Sequence, residues 1–126
     1  MQVSDTAQRS AVILIVDDEP LLRQFAAEMI ADGGFETVQA ANAREAIDIL
    51  EARPDIRIVF TDIDMPPGAD GLELAALVRD RWPPIEIIIT SGKALPAAAR
   101  LPERAVFVPK PYRQDQLVDA INRLAA

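Results

Sequence analysis

The sequence predicts a doubly wound α/β fold: a five-stranded parallel sheet with helices on both faces. Three observations carry this reading. Short apolar runs, several continuous and β-branched, recur along the 126 residues. Amphipathic helical patterns separate them. The conspicuous polar groups fall just after the apolar runs, at the strand ends where open α/β sheets bind ligands.

Each element follows from local pattern. "VILIV" (Val12–Val16) is a continuous β-branched run, as a strand buried on both faces requires. Leu22, Phe25, Ala26 and Met29 then repeat at helical spacing until Gly33-Gly34 stops the helix. "FETVQ" (Phe35–Gln39) is mixed in polarity and suits an edge strand. Asn42 with Glu45 resembles a capping box, and Ala43, Ala46, Ile47 and Leu50 form the stripe behind it, ended by Pro54. "IRIVF" (Ile56–Phe60) is the third strand. Leu74, Leu77 and Val78 mark the next helix, closed by Pro83-Pro84, and "IEIII" (Ile85–Ile89) is the fourth strand. In "KALPAAARLPER" (Lys93–Arg104), Pro96 and Pro102 leave space for a turn or two, so a short or irregular fourth helix is expected. "VFV" (Val106–Val108) is the last strand, and Leu117, Ala120, Ile121 and Leu124 mark the last helix. For five strands joined by crossovers the expected arrangement is the flavodoxin-like order 2-1-3-4-5.

Composition narrows the chemistry. The length suits one domain, with residues 1–10 a flexible polar tail and residues 11–126 the folded unit. A formal net charge of −7 argues against nucleic acid or an anionic membrane surface as direct partner. With no histidine and no cysteine, the chain has no imidazole or thiolate ligand and no Ser-His or Cys-His catalysis. Any metal must be a hard ion held by oxygen. No apolar run approaches the roughly 20 residues that cross a bilayer, and "MQVSDTAQRS" has no apolar core of a signal peptide, so a cytoplasmic location is expected.

The predicted strand order gathers the polar groups on one rim. Asp17 and Asp18 follow the first strand, Asp62 the third, Ser91 the fourth and Lys110 the fifth. Singly, each has a bland explanation: a helix cap, a turn former, a loop hydroxyl, a solvated lysine. Their convergence on one rim is what favours chemistry. Two carboxylates about 4 Å apart repel by roughly 4 kcal/mol at an effective dielectric near 20. A cap or a turn does not need that repulsion, and a divalent cation removes it. Mg²⁺ takes carboxylates, carbonyls, water and phosphate oxygen. The crevice therefore looks like a Mg²⁺ site built to receive a phosphoryl group. Asp62 is the candidate nucleophile, and Ser91 and Lys110 would hold the phosphoryl oxygens.

The four stretches "ILIVDDEP", "TDIDMPPGADG", "IIITSGK" and "VFVPKPY" together resemble the motifs of response-regulator receiver domains of two-component signalling, over the chain from Ala11 onward. The resemblance implies that Asp62 is the phosphoacceptor, charged by phosphohistidine in a sensor histidine kinase or a histidine phosphotransfer protein. It implies that Asp18 and Asp62 bind Mg²⁺ directly, Asp17 through water, and the Asp64 backbone carbonyl as a further ligand. Ser91 would hold a phosphoryl oxygen, with Gly92 behind it. Lys110 would pair with Asp62 or its phosphate, with Lys110-Pro111 a cis peptide, and Phe107 would be the rotating aromatic of the switch. An unknown output protein would read that switch, and a monomer or weak homodimer is expected.

Two further residues overhang the site mouth by their spacing. Asp64 follows Asp62 by two, and Lys93 follows Ser91 by two. An Asp64–Lys93 pair would partly cover the phosphoryl group and slow its hydrolysis. The bland alternative is two solvated charges worth under about 1 kcal/mol. Three other functions compete with the receiver reading. A phosphorylation-independent docking module would share the fold. "DIDMP" contains the Asp-x-Asp of haloacid-dehalogenase-type phosphatases, though there it ends the first strand. A flavin carrier would need a hydroxyl- and glycine-rich phosphate loop where "DDEP" stands.

Overall fold

The continuous apolar runs pair at the centre of a parallel sheet. The computed structural model describes residues 11–64, 71–93 and 101–125. Its strands are β1 (Val12–Val16), β2 (Glu36–Ala40), β3 (Ile56–Asp62), β4 (Glu86–Ser91) and β5 (Val106–Pro109). Its helices are α1 (Pro20–Asp32), α2 (Ala43–Ala52), α3 (Gly71–Arg81) and α4 (Gln114–Ala125). The sheet order is β2-β1-β3-β4-β5 and every pair is parallel. This is the order expected from the sequence. The tail at 1–10 lies outside the described residues, as does the 94–100 portion of the expected fourth helix.

Alternation along β1 explains why its run is apolar throughout. Val12, Leu14 and Val16 enter a core completed by Ala46 and Leu50 of α2 and Leu74, Ala75 and Val78 of α3. Ile13 and Ile15 face the opposite core, with Ala26 and Ile30 of α1, Phe60 of β3, and Leu117 and Ile121 of α4. A strand feeding two cores has no polar position to spare. β2, at the edge, keeps only Ala40 buried.

Helix ends follow their expected chemistry, with one shift in detail. Gly33 donates to Met29 and Ile30 carbonyls, and Gly34 takes φ 100°, a left-handed conformation that glycine adopts without steric cost. The Asn42 side chain accepts from the Glu45 amide at 2.9 Å, while the Glu45 carboxylate accepts from the Ala41 amide at 2.8 Å, one residue earlier than in a standard capping box. On α1 the buried face is Ala26, Ala27 and Ile30, whereas Leu22 is 39% and Phe25 55% exposed. Helical spacing identified an apolar face there, but only half of it is covered.

Gly71 ties the fold to its ligand rim. A Cβ at this position would stand 2.5 Å from the Asp62 carbonyl oxygen and 2.5 Å from the Ile63 Cα. Both neighbours are backbone and cannot swing aside, so the start of α3 can approach the end of β3 only with glycine. Gly71→Ala is expected to lower stability by about 1–3 kcal/mol, as overpacking does. Urea unfolding measures it, and an unchanged midpoint would show that the helix start can move freely.

Candidate functional site

β1, β3, β4 and β5 all end on the same rim, and each delivers its polar residues there. β1 stops at Val16, and Asp17 turns out of the sheet while staying buried at 6% exposure. Its carboxylate accepts from the Glu19 amide at 2.9 Å, one residue before α1 begins at Pro20. Asp18, beside it, is exposed. β3 runs two residues beyond its apolar segment and ends in Asp62, which is 3% exposed. Asp17, Asp18 and Asp62 place carboxylate oxygens within 4.8 Å of one another.

A buried carboxylate requires compensation. For Asp62 it comes from two sides. The Lys110 ammonium donates to Oδ2 at 2.7 Å, and the Asp64 amide donates to Oδ1 at 2.8 Å. Lys110 is itself fixed by its backbone, whose N–H donates to the Ser91 carbonyl at 2.9 Å, and the Lys110–Pro111 peptide is cis. Burial opposes the charge on Lys110, but the hydrogen bond and negative charge of Asp62 prevail and raise its pKa. The Asp17 carboxylate has no cation bonded to it among the described residues. Burial chiefly, with a contribution from the charge of Asp62, raises its pKa despite the Glu19 amide.

The raised pKa of Asp17 has a definite sign for stability. Its folded form holds a proton to higher pH than the unfolded chain does, so stability falls as pH rises from the ordinary carboxylate range through the raised value. Asp17→Asn removes that loss and keeps an acceptor for the Glu19 amide. In a chelator the variant is therefore expected to be more stable than wild type at pH 7, with the difference vanishing near pH 3. Urea unfolding at the two pH values checks this, and a less stable variant at pH 7 would contradict it.

Ser91, at 3% exposure, and Gly92 complete the rim. The Ser91 hydroxyl donates to Asp64 Oδ1 at 2.7 Å, and the Gly92 amide donates to Asp64 Oδ2 at 2.6 Å. Partial burial pushes Asp64 up, but these two donors, together with the charges of Lys110 and Lys93, outweigh it and hold the carboxylate below its usual range. No Asp64–Lys93 ion pair forms among the described residues. Lys93 instead donates its amide to the Ser91 hydroxyl oxygen at 3.0 Å. The paired-lid expectation thus gives way to a clasp on Ser91 and Gly92. Phe107 lies half-buried on β5, opposite Ile89, against the core on the α2 and α3 face.

Spacing alone did not reveal Arg23. From α1 it donates to the Asp17 carbonyl at 2.9 Å and to the Gln39 side chain at 3.0 Å, tying the ends of β1 and β2. No local pattern marks such a contact. The three carboxylates fit a hard divalent cation: all donors are oxygen, two are buried, and Asp18 leaves a solvent-facing side for water. Among the described residues no helix is long and apolar enough to cross a membrane.

Comparison with known proteins agrees with this geometry. The family described as "Response regulator receiver domain" matches residues 13–122. The chain is 34% identical over 116 residues to the positive alginate biosynthesis regulatory protein of Pseudomonas aeruginosa, covering 88% of this chain and 46% of that protein. It is 34% identical over 119 residues to sensor kinase CckA of Brucella abortus, covering 91% of this chain and 12% of that one. It spans less than half the length of either. The crystal structure of a response regulator receiver protein from Sinorhizobium medicae superimposes with a TM-score of 0.79 at 30% identity, covering 91% of this chain and 94% of that one. Strand order, acidic rim and sequence match agree, and the chain belongs to the response regulator receiver domain family.

Proposed function

We propose that this receiver domain accepts a phosphoryl group on Asp62 from a phosphohistidine donor, with Mg²⁺, and changes conformation to control a partner. The observation that carries this is Asp62 itself: a buried strand-end carboxylate held by Lys110 at 2.7 Å and flanked by the Asp17 and Asp18 carboxylates. In the transfer, an Asp62 oxygen forms a bond to phosphorus as the donor's P–N bond breaks. The bonding pair leaves with the imidazole nitrogen, which takes its proton from solvent. Bound Mg²⁺ would neutralise charge on the carboxylates and the transferring oxygens. Asp17, Asp18, Asp62 and the Asp64 carbonyl would hold it. Lys110 steadies the charge that develops on the phosphoryl group, and Ser91 then hydrogen-bonds one of its oxygens, with Phe107 turning toward the space Ser91 leaves.

A sensor histidine kinase or a histidine phosphotransfer protein is the proposed donor, in the cytoplasm, and the chain is read as a signalling acceptor rather than a turnover enzyme. Leu21 at 74% exposure, with Leu22 and Phe25, puts apolar surface on α1 directly after the acidic rim, which suits docking of a protein donor. Acetyl phosphate tests the acceptor chemistry without that donor. With Mg²⁺ the chain is expected to gain one base-labile phosphoryl group, and with a chelator almost none. No labelling would overturn the proposal and favour a phosphorylation-independent docking module, and equal labelling in both would overturn its Mg²⁺ dependence.

A further inference from the structure

The Asp64 carboxylate, expected at the mouth of the site, spends both its oxygens inside it. Oδ1 accepts from the Ser91 hydroxyl and Oδ2 from the Gly92 amide, at 2.7 and 2.6 Å. The Lys93 amide fills the acceptor side of the Ser91 oxygen at 3.0 Å, which leaves the single hydroxyl proton committed to Asp64. The same residue reaches the acceptor as well, since the Asp64 amide bonds Asp62 Oδ1 at 2.8 Å. Asp62 pairs in register with Thr90, so Ser91 stands one residue beyond the level of the acceptor on the adjacent strand.

A carboxylate and a phosphoryl group are both anions presenting oxygen acceptors, and one N–H and one O–H serve whichever anion is nearer. We propose that Asp64 is an intramolecular stand-in for the phosphoryl oxygens: its carboxylate occupies Ser91 and Gly92 in the unphosphorylated chain and must leave them before they close on a phosphoryl group. This rests on Asp62 being the phosphoacceptor. The clasp then sets the threshold for switching. A phosphoryl group must win Ser91 and Gly92 from the Asp64 carboxylate. A site closed by its own side chain about nine-tenths of the time binds its ligand about tenfold more weakly than an open one.

Two variants separate the clasp from simple charge repulsion. Asp64→Glu keeps the negative charge, but one further methylene spoils the fit to both donors. Asp64→Ala removes charge and clasp together. Binding of beryllofluoride, which copies a phosphoryl group on a carboxylate, is titrated with Mg²⁺ in the full chain, and the Gly92 amide resonance is followed by NMR. Both variants are expected to bind beryllofluoride about tenfold more tightly than wild type, and in both the Gly92 amide should shift before any beryllofluoride is added. Tighter binding in Asp64→Ala alone would assign the effect to charge and overturn the clasp, as would unchanged binding in both. A Gly92 resonance indifferent to both substitutions would also overturn it. If wild type itself takes up no beryllofluoride, the phosphoacceptor reading fails first and the clasp falls with it.

Discussion

Asp62→Asn is expected to abolish phosphoryl acceptance from acetyl phosphate while leaving a folded chain. The amide has no anionic oxygen to attack phosphorus, and the neighbouring carboxylates are poor substitutes. Asp17 is 6% exposed and its carboxylate is bonded to the Glu19 amide, and Asp18 faces solvent without a cation bonded to it among the described residues. The fold should survive because two effects oppose each other. The substitution ends the Lys110 pair at 2.7 Å, but it also relieves the repulsion between Asp62 and Asp17. An amide oxygen can still accept from the Asp64 amide. Intact mass after incubation with acetyl phosphate and Mg²⁺ measures the acceptance, and circular dichroism the fold. A variant labelled as fully as wild type would remove Asp62 from its role.

Lys110→Ala is expected to cause the largest loss of stability of any substitution at the site when the metal is absent. It leaves Asp62, at 3% exposure, with one oxygen bonded to the Asp64 amide and the other without its ammonium, beside Asp17. Removing one partner of a buried ion pair costs about 3–5 kcal/mol. The Lys110 side chain keeps 20% exposure, which places the expected loss near the lower bound, about 3 kcal/mol. Mg²⁺ should bring the variant back to about the stability of metal-free wild type, since a ligand at a hundred times its dissociation constant adds about 2.7 kcal/mol. Urea unfolding in chelator and in Mg²⁺ gives both numbers. A loss below about 1 kcal/mol in chelator, against the 3–5 expected for a broken buried pair, would mean that Lys110 does not compensate Asp62.

These effects were largely legible in the sequence because they depend on strand ends. Val12–Val16 had to be a two-sided strand and Ile56–Phe60, apart from exposed Arg57, nearly so, and the residues following a parallel strand fall on one rim whatever the loops do. That logic located Asp17, Asp18, Asp62, Ser91 and Lys110 together. It could not say where a side chain two residues into a loop would turn. Asp64 bonds Ser91 and Gly92 rather than Lys93 because backbone geometry after β3 and β4, not charge sign, decides which donors are in reach. Nor could periodicity show which part of an apolar helical face is covered. Phe25 fits the α1 stripe yet is 55% exposed, because the small residues Ala26 and Ala27 make the close approach to the sheet. Arg79 is a further case: it donates to the Pro83, Ile85 and Glu103 carbonyls, joining segments whose approach no local pattern encodes.

Borohydride reduction of the phosphorylated chain, followed by peptide mapping, tests the central claim most directly. Borohydride converts an aspartyl phosphate to homoserine and so marks the residue that carried the phosphoryl group. The account predicts homoserine at position 62 alone, formed only when Mg²⁺ was present during phosphorylation. Homoserine at position 17, 18 or 64, or none anywhere in a chain that has gained a phosphoryl group, would contradict it.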